Sequence, residues 1–80
     1  ADVDMHLEEI RCNDLLSDFR NKSINELEIR KKFGANIVGF KTENGEYVIN
    51  PSPETKIIPH SKIFVLGTRA QIREMMEITK

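Results

Sequence analysis

Cys12 is the sole cysteine in a chain of 80 residues. Small size without any possible intrachain disulfide limits how a fold here is completed. A domain of this length buries only roughly 60% of the surface its unfolded chain exposes, so its own core is thin. Small domains make up the deficit with disulfides, a structural metal or a second copy. The two histidines, His6 and His60, and the one Cys show no Cys-x-x-Cys or His-x-x-x-His spacing to seed a tetrahedral metal site. Oligomerisation is the route that remains, and a homodimer is its simplest closed form. One domain is expected over residues 1–80. The start at Ala1 without a Met suggests a piece of a longer protein.

The same residues exclude several classes of function. The lone thiol suggests a reducing compartment. No apolar run reaches the roughly 18 residues needed to cross a bilayer, and no signal peptide is visible, so a soluble domain without membrane insertion is expected. The net charge is −1, with 12 basic and 13 acidic residues intermixed. Nucleic acid wants a strongly basic face, so it is not an expected partner. The densest basic group, Arg30, Lys31 and Lys32, is short and sits beside Glu26 and Glu28, as on a solvated helix face. No Ser-His-Asp set, Gly-rich phosphate loop or metal cage is present, so no catalytic residues are assigned and an enzyme is not expected.

Local patterning gives the order of elements. Residues 5–12 alternate as a half-buried strand does, with Met5 and Leu7 on one parity and Ile10 and Cys12 on the other. The change of parity at Glu8-Glu9 predicts a bulge or twist there. Residues 13–22 are polar and read as a loop, pinned by Leu15, Leu16 and Phe19. Ser23-Ile24-Asn25-Glu26 fits a capping box, and a helix is expected over 24–33 with Ile24, Leu27, Ile29 and Phe33 as its apolar stripe. Gly34 supplies the left-handed stop. A strand over 36–41, Asn44-Gly45 as a two-residue hairpin turn, and a return strand over 46–50 follow.

Pro51 and Pro53 break the sheet, since proline has no ladder donor. Lys56-Ile57-Ile58 is placed to pair briefly, and Pro59-His60-Ser61 turns. The run Ile63-Phe64-Val65-Leu66 reads as a central strand covered on both faces, closed by Gly67. Thr68-Arg69-Ala70-Gln71 is a second capping box opening a helix over 69–79, with Ile72, Met75 and Met76 inward. The expectation is an α+β fold: a small mixed sheet with two helices, in the order β-α-β-β-β-α.

That order, with these residues, resembles the C-terminal subdomain of the regulator-of-potassium-conductance (RCK) module, the TrkA-C domain. The resemblance is carried by Ser23, Glu26-Leu27, Ile29-Arg30, Phe33-Gly34, Asn36-Ile37-Val38-Gly39, Asn44-Gly45, Pro51-Ser52-Pro53-Glu54-Thr55 and Val65-Leu66-Gly67. It covers nearly the whole chain, and its specificity lies in the order and spacing of motifs that are individually common. One departure stands out: His60-Ser61 occupies the place where the family usually has Gly-Asp.

The resemblance implies a non-catalytic regulatory domain on the cytoplasmic face of the cell membrane. It would belong to a potassium channel or potassium uptake protein and control cation transport. It implies pairing with a copy of itself, a preceding N-terminal RCK subdomain and a membrane pore elsewhere in the parent. It implies no cofactor, but in some members cyclic di-AMP lies between the paired copies. The positions matching that site are Ile24, Ile29, Arg30, Asn36 and Ile37. Other members bind divalent cations. The alternatives are a purely structural dimerisation module, or the regulatory domain of a cation:proton antiporter or anion symporter.

Each of these residues also has a plainer reading. Arg30 grips phosphate with its guanidinium fork, or only complements a helix end in solvent. Asn36 reads a base edge or ribose, or caps the start of a strand. Ile24, Ile29 and Ile37 wall a base, or belong to the core or dimer interface. For Ca²⁺, Glu8-Glu9 and Glu26/Glu28 gather too few carboxylates in one loop. His6 and His60 read as surface histidines before pH sensors. Cys12 reads as a small buried hydrophobe before a redox thiol.

Overall fold

The computed structural model describes residues 4–80; residues 1–3 of the expected domain lie outside the described residues. Four strands, β1 (His6–Arg11), β2 (Asn36–Lys41), β3 (Tyr47–Ile49) and β4 (Lys62–Gly67), form one sheet in the order β1-β4-β2-β3. Helices α1 (Ile24–Leu27) and α2 (Ile29–Phe33) stand between β1 and β2, and α3 (Arg69–Met75) follows β4. The α+β class and the β-α-β-β-β-α order therefore hold, with the first helix in two pieces.

The sheet is antiparallel throughout, not mixed. A β-α-β start suggests parallel neighbours, and β1 and β2 do point the same way. The sheet nevertheless inserts β4 between them, antiparallel to both. The apolar run of β4 reflects this central place. Ile63, Val65 and Gly67 are buried on the helix-covered face, while Lys62, Phe64 and Leu66 are half-buried on the other.

β1 pairs with β4 in unbroken register from His6↔Gly67 to Arg11↔Lys62, so the bulge expected at Glu8-Glu9 is absent. The parity change has another cause, because apolar residues occupy both faces of the strand. Ile10 and Cys12 enter the core, while Leu7 is 62% exposed on the open face. The irregularity falls instead in β2, between Ile37 and Gly39. The hairpin also differs from the two-residue turn. Gly45 N–H bonds to Thr42 O at 2.9 Å and Thr42 N–H to Glu46 O at 2.8 Å, and of Asn44 and Gly45 only Gly45 has positive φ. This is a three-residue loop, a turn followed by one left-handed glycine.

The core runs through Ile10, Cys12, Leu15, Leu27, Ile29, Ala35, Phe40, Ile57, Ile63, Val65, Met75 and Ile78. Of the residues expected to pin the 13–22 loop, Leu15 is fully buried and Phe19 packs on the core, but Leu16 is 40% exposed. At the chain's end Ile78 replaces Met76 on the buried face, because α3 tightens after Met75 into a 3-10 turn (Met76–Ile78). With three residues per turn, Ile78 falls on the same side as Met75.

Cys12 is buried, as its plainer reading had it. Its Sγ lies 2.9 Å from Ser61 Oγ, which also bonds the Ile58 carbonyl. Burial pushes the Cys12 thiol up, against a smaller opposing pull from Ser61. Ser61 is 1% exposed, so the position where the family has Asp is an internal one here. His60 stands at the family's Gly with φ 69°, held by its N–H donating to Asn13 Oδ1 at 2.9 Å.

Two outcomes follow for thermal or denaturant unfolding. Gly34 has φ 79°, and a Cβ there would come within 2.6 Å of Gln71 Nε2. Gln71 cannot easily yield, because its Oε1 accepts from Thr68 N–H at 2.9 Å. Gly34→Ala should cost about 1–3 kcal/mol; an unchanged midpoint would mean that the helix stop is not strained by a side chain. His60→Gly should raise stability by about 1 kcal/mol by relieving the left-handed backbone. A lowered midpoint would show that the imidazole contributes more than its backbone costs.

Candidate functional site

The cleft at the junction of α1, α2 and β2 is built from local rules. Ser23 caps α1: its Oγ accepts from Glu26 N–H at 3.1 Å, and Glu26 Oε1 accepts from Ser23 N–H at 3.0 Å. The expected single helix then breaks after one turn, because Glu28 adopts φ 52° and ψ 37°. A left-handed residue cannot continue a right-handed helix. The chain restarts as α2, and Gly34 ends it. Ala35, fully buried, leads directly into Asn36 at the start of β2.

The loop after β3 closes the other side. Ile24 N–H bonds to Thr55 O and Asn25 N–H to Pro53 O, both at 2.9 Å, and Ser23 bridges Lys56. Lys56 thus makes the brief pairing expected of its segment, while Ile57 is fully buried. These bonds hold Pro53 against the first turn of α1.

The result is an open depression of about 630 Å³, in the size range of small-molecule sites. All five positions singled out from the sequence line it: Ile24, Ile29, Arg30, Asn36 and Ile37. Their roles differ. Ile29 is 3% exposed and also counts in the core, so it forms floor more than wall. Ile24 and Ile37 are half-buried, packing on the core with part of their surface open to the cleft. Arg30 and Asn36 are exposed. Among the described residues Arg30 has no carboxylate partner, whereas Lys31 Nζ lies 3.6 Å from Glu28 Oε2.

Asn25, Glu26, Glu28, Lys31 and Pro53 also line the cleft and were not anticipated there. In the sequence Glu26 reads as the capping-box acid with Asn25 inside that motif, and Pro53 as a sheet breaker. The contact between Pro53 and α1 is non-local, so only the Pro-x-Pro-x-Thr motif itself hinted at it.

The two histidines stand apart from the cleft. His6 Nε2 is 2.8 Å from Asp4 Oδ1. His60 lies with Arg11, Asn13, Asp14, Lys62 and Lys80 around a smaller polar hollow. Among the described residues no three His, Cys, Asp or Glu side chains gather as a metal site. No helix among them is long and apolar enough to cross a membrane.

Comparison with known proteins decides the family. The model of the TrkA-C domain matches residues 14–80. The chain belongs to the TrkA-C domain family. This is the C-terminal RCK subdomain, a regulatory and typically non-catalytic domain of potassium channels and transporters that also occurs in BusR. A curated relative, the probable potassium channel protein 2 of Methanocaldococcus jannaschii, is 34% identical over 64 residues; these are 80% of this chain but only 18% of that protein. The RCK_C domain dimer of S. agalactiae BusR, solved in complex with c-di-AMP, is 28% identical with a TM-score of 0.80, over 95% of this chain and 91% of that one. BusR in complex with its busAB-promotor DNA matches at 29% identity and TM-score 0.78, over 90% of this chain and 34% of that one.

The capping box that shapes this TrkA-C cleft carries one titratable group, Glu26. The hydrogen bonds from the Ser23 backbone and hydroxyl hold the Glu26 carboxyl below its ordinary value. A depressed folded-state value gives stability that is present above the unfolded value and lost as pH falls through the folded one. Glu26→Gln keeps an acceptor but removes the charge. Its melting temperature should lie below that of the unmodified chain at about pH 7, and the gap should close toward about pH 3. A gap independent of pH would remove the charge from the cap.

Proposed function

We propose that this domain is the ligand-sensing, dimerising regulatory part of a potassium channel or potassium uptake protein, and that its ligand is cyclic di-AMP. The supporting observation is that Ile24, Ile29, Arg30, Asn36 and Ile37, the positions matching the family's nucleotide site, line one cleft that carries a single unpaired guanidinium. Apolar surface from Ile24, Ile37 and Pro53 suits the face of a base, and Asn36 offers both a donor and an acceptor to a base edge or ribose. The free fork of Arg30 suits a phosphodiester oxygen pair.

The ligand chemistry also explains a dimer. Cyclic di-AMP has two-fold symmetry, and a two-fold pair of domains would present two copies of each of these groups. The BusR domain dimer with c-di-AMP supports that arrangement by likeness. Control of the pore would then come from unequal affinity of the ligand for two dimer geometries, and a coupling of about 1–3 kcal/mol is enough to shift their populations. The N-terminal RCK subdomain and the pore would belong to the rest of a parent seated at the cytoplasmic face of the membrane. The potassium channel relative at 34% identity favours this parent. The BusR likeness supports a second reading, a transcription regulator using the same sensing domain. The flanking sequence separates the two, since one requires membrane spans and the other a DNA-binding segment.

Calorimetric titration tests the ligand. Cyclic di-AMP should bind the unmodified domain, and Arg30→Ala should weaken it at least about tenfold. The melting temperature should not move, because Arg30 is exposed and unpaired. Heat with Ca²⁺ alone would transfer the site to a divalent cation. Silence with both, alongside a tight dimer, would leave a structural dimerisation module.

A further inference from the structure

The charges lining the cleft are balanced, with Lys22 and Lys56 acting on Glu26 from outside it. Glu26 and Glu28 bring two carboxylates, Arg30 and Lys31 two cations. Three of the four are already engaged: Glu26 Oε1 accepts from Ser23 N–H at 3.0 Å, and Glu28 Oε2 holds Lys31 Nζ at 3.6 Å. Of these four, Arg30 alone has no partner among the described residues. Glu28 is exposed, and the fold sets its backbone conformation. It is the left-handed joint at φ 52° between α1 and α2, and it lines the cleft together with residues of both helices.

We infer that Glu28 is a specificity residue that limits each copy of the cleft to one phosphodiester charge and rejects ligands carrying a phosphomonoester. This rests on the nucleotide-sensing reading above and narrows its ligand class. A phosphodiester carries one negative charge, which a single guanidinium matches. A terminal phosphomonoester carries about −1.5 to −2 at neutral pH. The surplus charge would draw on Lys31, which must then leave its solvent-exposed pair with Glu28, and Glu28 itself repels that charge. Like-charge juxtaposition of this kind sets specificity by penalising the wrong partner. The cleft therefore tells a closed dinucleotide ring from its opened, 5′-phosphorylated product by counting charge, using the same bases and the same Arg30 contact for both.

The probes are cyclic di-AMP and its linear 5′-phosphorylated counterpart, pApA, titrated into the unmodified domain, Glu28→Gln and Lys31→Gln. The flexibility of the opened chain disfavours pApA equally in every variant and cancels when ratios are compared. Glu28→Gln removes the repulsion and frees Lys31, so the preference for the ring should narrow by about three- to tenfold at low salt. The narrowing should fade as salt rises and screens an exposed site. Lys31→Gln leaves Glu28 uncompensated and should widen the preference. Ring binding with the same ratio in all three proteins overturns the inference and leaves the sensing reading intact. Absence of ring binding to the unmodified domain overturns both. Unchanged melting temperatures in the variants would exclude misfolding as the cause of any shift.

Discussion

Strand β4 is the member on which the other elements depend. It pairs with β1 on one side and β2 on the other, and its Ile63 and Val65 side chains are fully buried under the helices. Through β1 it positions Ile10 and Cys12; through β2 it positions Phe40 and the short edge strand β3. Gly67, at its end, lies close against Ala35, where an added Cβ would come within 3.1 Å of the Ala35 Cβ. The turn out of α2 therefore seats directly on β4. Because Asn36 pairs with Leu66, the position where β2 opens onto the cleft is set by register with the central strand, not by the loop before it.

The cleft inherits its shape from a second constraint, the joint at Glu28. Had α1 and α2 been one continuous helix, successive residues would have kept a 100° spacing around a single axis. The left-handed residue resets that spacing. It lets Leu27 and Ile29, two residues apart, both enter the core, at 1% and 3% exposure. Ile24 on one side of the joint and Arg30 on the other then open to the same depression. A non-glycine residue in this conformation is strained, and such strain collects at sites where geometry matters more than local stability.

Much of this was readable from residues alone, and the failures have specific causes. Ser23-x-x-Glu26 and Thr68-x-x-Gln71 named both helix starts, because a capping box is a local reciprocal bond that needs no tertiary information. Gly34 named a stop for the same reason. The break at Glu28 was hidden, since nothing in Leu-Glu-Ile-Arg departs from helix composition and the conformation is imposed by burying Leu27 and Ile29 together. Antiparallel pairing was hidden because strand order is a non-local property: the sequence order β-α-β does not reveal that a later strand intervenes. The five cleft positions were found through the resemblance. Pro53 and Glu28 were missed because one arrives by a long-range contact and the other by a backbone conformation.

On the proposed reading these features form one device. Each copy of the cleft is lined by one guanidinium, that of Arg30, so a ligand with two equivalent phosphodiesters is fully matched only by two copies. Binding and pairing are then linked, and linkage is reciprocal: whatever the ligand adds to the stability of the pair, the pair adds to affinity for the ligand. The cleft straddles the Glu28 joint, so a ligand touching Ile24 and Arg30 together acts on the angle between α1 and α2. That angle is tied to the β4-centred core by Leu27 and Ile29, buried on either side of the joint. On this reading, ligand contact at Ile24 and Arg30 bears on the sheet through those two core residues.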